Sequence, residues 1–128
     1  MKHLKRFNES SIDDIINDCK DILIDLSDNN ITYKVWVSGR FSGSGSIIVD
    51  IGDDDDNSIS LMNMSDTFEH LISYLESFGY LFSKKSFYHE DLYYGSPLDK
   101  AELFHSIKNG VKFYFMRIQF EKSKITIK

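Results

Sequence analysis

Five consecutive oxygen-bearing side chains, Asp53-Asp54-Asp55-Asp56-Asn57, are the first residues in this chain that could do chemistry, because calcium and magnesium bind such oxygens. A calcium loop, however, spaces its ligands at alternating positions, turns sharply at a glycine and ends in a bidentate glutamate. Adjacent side chains diverge instead, and neither that glycine nor a suitably placed glutamate is present. The run predicts a solvated acidic loop without a metal ion or other cofactor, with weak adventitious cation binding as the alternative.

An imidazole and two carboxylates stand together in His89-Glu90-Asp91, a combination that in principle serves acid–base catalysis. Three consecutive side chains rarely converge on one point, so the segment predicts a surface loop. The only thiol, Cys19, lies on the apolar stripe of a predicted helix, where burial makes a cysteine inert. The sequence therefore predicts no catalytic residue and a protein that is not an enzyme.

The glycine-rich segment from Gly39 to Gly45 has the composition of a phosphate-binding loop. Such a loop leads from a strand into a helix N-terminus and usually carries a lysine. Here the segment connects two predicted strands and contains no Gly-Lys-Ser/Thr sequence. It predicts a hairpin connection.

Aromatic and acidic residues together define a candidate surface for a protein partner. Tyrosine and tryptophan are favoured at interfaces, and clustered carboxylates steer a basic partner. Basic and aromatic residues also alternate in Lys84-Lys85-Ser86-Phe87-Tyr88, which is the composition of a single-stranded nucleic-acid surface, but the net charge of −5 opposes that function. The predicted interaction surface comprises Trp36, Tyr93, Tyr94, Asp53, Asp54, Asp55 and Asp56.

The amino-acid composition indicates a folded, soluble protein. Its 128 residues are 41% hydrophobic and 14% aromatic, which is ample for one core and far from the disordered regime. A single cysteine excludes an intramolecular disulfide and fits a reducing compartment. No apolar run approaches the ~20 residues that cross a bilayer, and the negative charge repels anionic membrane surfaces.

The first half of the chain predicts a helix followed by a hairpin. Ser10-Ser11 offers an N-cap before an apolar stripe with three- and four-residue steps, and the helix ends by Asp28-Asn29-Asn30. Apolar and polar residues then alternate in residues 31–38 and again in residues 47–51, which predicts two paired strands. Residues 59–61 favour a short third strand.

The second half predicts two helices and two longer strands. A capping box formed by Ser65 or Asp66 with Glu69 begins one helix, and Gly79 follows its end. Residues 80–88 then favour a strand. Ser96-Pro97 begins a shorter helix, with proline at its first position, that ends at Asn109-Gly110.

The last strand begins at Val111. Its odd-numbered residues are apolar as far as Phe115, but from Arg117 onward the odd-numbered residues are polar. That change predicts either a bulge near Phe115-Met116 or a first half covered on both faces. Ile125 and Ile127 extend the strand after a turn.

The predicted order is helix, strand, strand, helix, strand, short helix, strand, or αββαβ(α)β. Two main helices on one face of a four-stranded, mainly antiparallel sheet form an α+β two-layer sandwich, which we assign to residues 10–128 as a single domain. Moving the first strand of a ferredoxin-like β-α-β-β-α-β unit to its end yields this order. A strand at residues 2–7 would instead restore the ordinary order with an appended helix and strand, and we favour the permuted version.

The segment Met1–Glu9 is basic and amphipathic, and it is too short and too charged for a secretory signal. Its Lys2, Leu4, Phe7 and Glu9 resemble the capsid-targeting leaders on internal head proteins of large tailed phages. Those leaders begin Met-Lys, carry an apolar or aromatic residue near position seven and are cut after a glutamate by the prohead protease. Lys5-Arg6 departs from them, since polar or acidic residues are more usual there.

The resemblance implies cleavage between Glu9 and Ser10 and a small non-enzymatic phage protein, located in the host cytoplasm or the virion. A frayed basic terminus, with Leu4 and Phe7 against the core, is the competing interpretation. The aspartate blocks motivate a second functional hypothesis, an acidic inhibitor that binds a host protein with a basic surface.

Overall fold

The first helix begins at the predicted serine cap. The computed structural model describes residues 11–39, 45–53, 55 and 57–123, and in it α1 spans Ile12–Ile22. Ser11 Oγ accepts the N–H of Asp14 at 3.1 Å. Leu23 alone separates α1 from α2 (Ile24–Asp28). The two segments together cover the predicted helix and bury its apolar stripe.

The predicted hairpin is confirmed. It consists of β1 (Thr32–Ser38) and β2 (Ser46–Gly52), which are antiparallel with Thr32 opposite Gly52. On its other side, β2 pairs with the last strand, which the structure defines as β8 (Phe115–Lys122). The two residues of β3 (Ile59–Ser60) form a separate two-stranded sheet with β7 (Lys112–Phe113).

The single strand predicted for residues 80–88 is two strands, β4 (Tyr80–Phe82) and β5 (Phe87–His89), both paired with β8. Residues 83–86 face only residues 118–119 of β8, so the ladder is interrupted. Ser86 Oγ accepts the N–H of Gln119 at 2.9 Å and replaces the missing backbone acceptor. A buried amide needs such a partner, and the side chain of Ser86 is buried at this position.

The sheet has six strands rather than the predicted four. With β6 at Gly95–Pro97, its order is β1-β2-β8-β5-β6, and β4 also lies beside β8. All its pairings are antiparallel. The additional edge strand is β6 (Gly95–Pro97), where a proline start to a helix was predicted. Pro97 is tolerated there because an edge strand has one side on which no donor is needed.

The short helix therefore begins later than predicted. It is α4 (Lys100–Asn109), and its N-cap is Asp99, whose Oδ1 accepts the N–H of Glu102 at 2.7 Å. Its predicted end is confirmed, since Gly110 caps it with a left-handed φ of 62°.

The capping box predicted for the second main helix is wrong, although the helix itself is confirmed. This helix, α3, spans Ser65–Ser77 and begins after Met64, which offers no side-chain hydrogen bond. Met64 is buried in the core, so apolar packing determines where the chain enters the helix. Gly79 follows the helix with φ of 86°, as predicted.

The change of parity in the last strand comes from a bend at Tyr114, one residue before the predicted bulge. Phe113 is buried before the bend, whereas Met116, Ile118 and Phe120 are buried after it. Phe115 and Arg117 consequently point away from the core. We call this side of the sheet, opposite the helices, the outer face.

One hydrophobic core joins the helices to the sheet, so the fold is α+β. Its largest fully buried side chains are Phe68 of α3, Phe113 of β7 and Phe120 of β8. Within the residues described, no helix combines the length and the apolar character needed to cross a membrane.

Candidate interaction surface

The loop between β5 and β6 carries the most exposed large apolar side chains in the described part of the chain. Leu92 is 61% exposed, Tyr93 82% and Tyr94 76%. We call these three residues the aromatic tip. Leaving so much apolar surface in contiguous residues exposed to water is costly for a chain that has a core available.

The backbone of the aromatic tip is held in place by Asp91. One carboxylate oxygen, Oδ1, accepts the N–H groups of both Tyr93 and Tyr94 at 2.8 Å. These bonds to the Tyr94 and Tyr93 amides lower the pKa of Asp91, and the nearby His89 also lowers it. The aromatic tip is therefore an ordered turn that presents exposed rings.

The base of the aromatic tip is closely packed. The His89 ring lies 5.6 Å from that of Phe87 and 6.1 Å from that of Phe115, centroid to centroid. A Cβ atom on Gly95 would lie 3.0 Å from His89 Nε2 and 3.3 Å from Phe87 Cδ2. A side chain larger than glycine at this position would therefore push the His89 and Phe87 rings outward by a few tenths of an ångström.

Strand register brings the acidic loop to the same end of the sheet as the aromatic tip. Gly52 lies opposite Phe115, and Phe115 lies opposite His89. Asp53 follows the first of these strand ends, and the aromatic tip follows the last. Two strand spacings, or about 10 Å, separate the strand ends Gly52 and His89 from which the two loops begin.

The acidic loop is shaped by its own first carboxylate. Asp53 Oδ2 accepts the N–H groups of Asp55 and Asn57, both at 3.1 Å. Asp54 and Asp56 lie outside the described residues. Across the described ranges, no group of three or more histidine, cysteine, aspartate or glutamate side chains is arranged to hold a metal ion.

Trp36, the third aromatic candidate, belongs to a different structure on the outer face. Its Nε1–H donates to Asp50 Oδ2 at 3.0 Å. Arg117 donates to the same carboxylate through Nε at 2.7 Å and Nη2 at 3.0 Å. These hydrogen bonds raise the pKa of Arg117 above its ordinary value.

Three rings surround the Arg117 guanidinium. Its central carbon lies 5.4 Å from the Trp36 ring, 5.8 Å from Phe115 and 5.9 Å from Phe87, within cation–π range. We call Trp36, Asp50, Arg117 and these two phenylalanines the outer-face network. Trp36 lies on the first strand of the sheet, opposite Ile48, and it is linked to the base of the aromatic tip only indirectly, through Arg117 and the rings of Phe87 and Phe115.

Sequence reasoning missed the outer-face network because Asp50 and Arg117 are 67 positions apart. The only available signal was that each is a charged residue within an alternating strand. That signal locates a partner only once β2 is known to pair with β8.

The structure describes the predicted buried cysteine, Cys19, but not the predicted cleavage site. Cys19 is completely buried, and burial, followed by the charge of Asp18, raises the pKa of its thiol to about 12. The thiol is therefore protonated at neutral pH. The predicted cleavage site, Glu9-Ser10, lies outside the described residues, as do residues 40–44 of the glycine-rich segment and the predicted extension at Ile125 and Ile127.

Comparisons of this chain with protein-family models, curated proteins and solved structures find no match.

Proposed function

We propose that this protein acts by binding another protein, not by catalysis, and that the aromatic tip is its anchor. The observation that carries the proposal is the combination of exposed rings with an ordered backbone. Tyrosines contribute large contact areas with few side-chain torsions to immobilise. Because Asp91 already orders the turn, binding loses less conformational entropy than it would with a flexible loop.

The acidic loop supports a more specific description of the partner. Its carboxylates lie at the same end of the sheet as the aromatic tip. A complementary surface would have an apolar pocket for the tyrosines and a basic rim facing Asp53 and Asp55. Rim charges chiefly raise the association rate, whereas buried anchors determine how long the complex persists.

Site-specific photo-cross-linking tests this proposal in the cells where the protein occurs. We expect p-benzoylphenylalanine at Tyr93 to give one discrete cross-linked product. The matched control is the same probe at Leu81, which is 45% exposed at the opposite end of the sheet and should give none. Equal cross-linking from both positions, or none from Tyr93, would contradict the proposal.

Salt dependence separates this proposal from the hypothesis of an acidic inhibitor. Recognition led by the aspartates should weaken strongly as salt rises, because exposed charges are screened. Anchoring by buried rings should persist. Loss of the Tyr93 cross-link at high salt would favour the acidic inhibitor.

The leader resemblance carries a proposal about biological setting. We propose that Met1–Glu9 directs the chain into a phage head and is removed there, on the match at Lys2, Leu4, Phe7 and Glu9. Intact-mass measurement after co-expression with a prohead protease should show loss of residues 1–9. A Glu9→Gln variant is the control and should stay uncut, and an unchanged mass for the unaltered chain would contradict the proposal.

We further propose that the fold is a permuted ferredoxin-like unit. Support comes from the connection β2-α3-β4, in which β2 and β4 are both antiparallel to the intervening β8 and hence parallel to each other. This is a split β-α-β unit. In an unpermuted ferredoxin-like fold, a second split β-α-β unit would connect the end of β8 to β1, with β2 lying between these two strands in the sheet. The permutation would break that connection.

A further inference from the structure

The outer edge of β1 is a second surface, separate from the aromatic tip. β1 is the first strand of the sheet, and no strand in the described ranges pairs with its outer side. An edge strand of this length presents a row of backbone donors and acceptors to whatever approaches it.

A groove of about 690 Å³ lies along the first half of this edge. Five consecutive residues, Ile31 to Val35, line it, together with Lys20 of α1 and Ser27 of α2. Successive side chains of a strand point to opposite faces, so a lining of consecutive residues means that the groove meets the strand edge-on. A groove between a strand edge and a helix is where an extended peptide adds to a sheet.

The walls of the groove are held together. The Tyr33 hydroxyl donates to the backbone carbonyl of Lys20 at 3.1 Å, which ties the edge strand to α1. Ile31 and Val35 are buried in the core and anchor the same stretch of strand from beneath. The groove is therefore formed before any ligand arrives, which favours binding of an extended chain.

Charges in the groove are ordered along the strand. Asp53 and Asp55 line the end next to Thr32, because Thr32 lies opposite Gly52. Lys34, two residues farther along β1, also lines the groove, as does Lys20 of α1. A complementary ligand carries a basic residue where it passes Asp53 and Asp55 and an acidic residue where it passes Lys34.

We propose that this edge takes up an extended segment of a partner protein as an added strand, with a basic residue beside Asp53 and Asp55 and an acidic residue beside Lys34. A second copy of this chain fits less well. The only charged residue of β1 is Lys34, so a copy of the strand brings no acid to the lysines of the groove.

Selection from a library of random linear peptides on the intact chain provides the probe. Enriched peptides should share a basic and an acidic residue at a fixed spacing, with the basic residue first in a strand parallel to β1 and second in an antiparallel one. Their binding should protect those backbone amides of β1 that point away from β2 from hydrogen exchange. Methylation of alternate backbone nitrogens of a selected peptide should weaken binding at least tenfold in one parity and leave it unchanged in the other, because only alternate amides face β1.

Charge variants test the order of the groove. Asp53→Asn with Asp55→Asn should weaken the selected peptide about two- to fivefold for each exposed pair. Asparagine retains the oxygen that Asp53 uses within its loop. The matched control is Asp25→Asn with Asp66→Asn, two exposed carboxylates that do not line the groove, which should leave affinity unchanged.

Three results of the peptide experiments would overturn the proposal. They are the absence of any enriched peptide, binding that is insensitive to the parity of N-methylation, and protection of residues 90–94 instead of β1. Sedimentation showing a dimer of the peptide-free chain with its β1 amides protected would assign the edge to a second copy and also overturn it. None of these outcomes affects the cross-link expected at Tyr93.

Discussion

The outer-face network and the aromatic tip contain the same kinds of residue and use them in opposite ways. In the network, one carboxylate partners the Arg117 guanidinium and the Trp36 indole, so its polar atoms are used within the chain. In the aromatic tip, the carboxylate of Asp91 partners only backbone amides and leaves the rings exposed. Composition alone therefore does not identify a contact surface. In these two regions, the partner of the nearest carboxylate differs between the site where aromatic rings are engaged within the chain and the site where they are left exposed.

Replacing the rings of the aromatic tip should have the largest effect, and it should affect binding alone. We expect Tyr93→Ala with Tyr94→Ala to weaken partner binding by at least ~3 kcal/mol, since central aromatic anchors commonly contribute ~2 kcal/mol or more each. The free energy of unfolding should change by less than ~0.5 kcal/mol. Binding to the captured partner and urea unfolding measure the two effects. A stability loss as large as the binding loss would show that the tip is structural.

Breaking the outer-face network should affect stability alone. Asp50→Ala leaves Arg117 and the Trp36 N–H without their acceptor, and should lower the free energy of unfolding by about 2 kcal/mol. The Arg117 and Asp50 side chains are 32% and 15% exposed, so the loss stays below that of a fully buried pair. Asp66→Ala, which removes an exposed carboxylate of α3, serves as control in urea unfolding. A loss no greater than the control's would mean that solvent replaces the network at no cost.

The packing at the base of the aromatic tip is open to a steric test. Gly95→Ala places a methyl group 3.0 Å from His89 Nε2 and should destabilise the protein by about 1 kcal/mol as the rings move apart. Gly52→Ala is the control, because its nearest neighbour would be 3.5 Å away. Thermal unfolding of both variants measures the difference. Equal melting temperatures would indicate that His89 moves aside freely.

The smallest expected effect is a pH dependence of the aromatic tip. Folding lowers the pKa of Asp91 from its ordinary value of 3.8, so its contribution is complete above that value and is lost as the pH falls through the lower, folded pKa. We expect the amide signals of Tyr93 and Tyr94 to shift in this acid range in NMR titrations. Asp91→Asn, which keeps an acceptor oxygen, should abolish the titration. A midpoint at or above 3.8 would contradict the assignment.

Helices and strands could be predicted from the sequence wherever one of their faces is apolar. The α1–α2 stripe, the β1–β2 hairpin and the glycine caps after α3 and α4 all follow from local spacing and backbone preference. Predictions that depended on distant partners failed more often. The local sequence predicts a helix start at Pro97, because the residues next to it in the chain do not indicate that it pairs with Phe87.

The candidate site divides in the same way. Tyr93 and Tyr94 were chosen from residue type alone, and the structure adds that they are exposed on an ordered turn. Trp36 was chosen for the same reason, but its ring is engaged by Arg117. Residue type indicates what a side chain can contact, whereas packing decides whether it is still available.

By itself, the sequence determined the secondary structure of its strongly patterned segments and the α+β class, because periodicity and caps act over a few residues. Only the tertiary structure decided the six-stranded order, the hydrogen bonds between Asp50 and Arg117, and the placement of the acidic loop and the aromatic tip at the same end of the sheet. The physical reason is strand register. Pairing brings residues that are far apart in the chain to within one or two strand spacings, and no local pattern encodes which strand will be the neighbour.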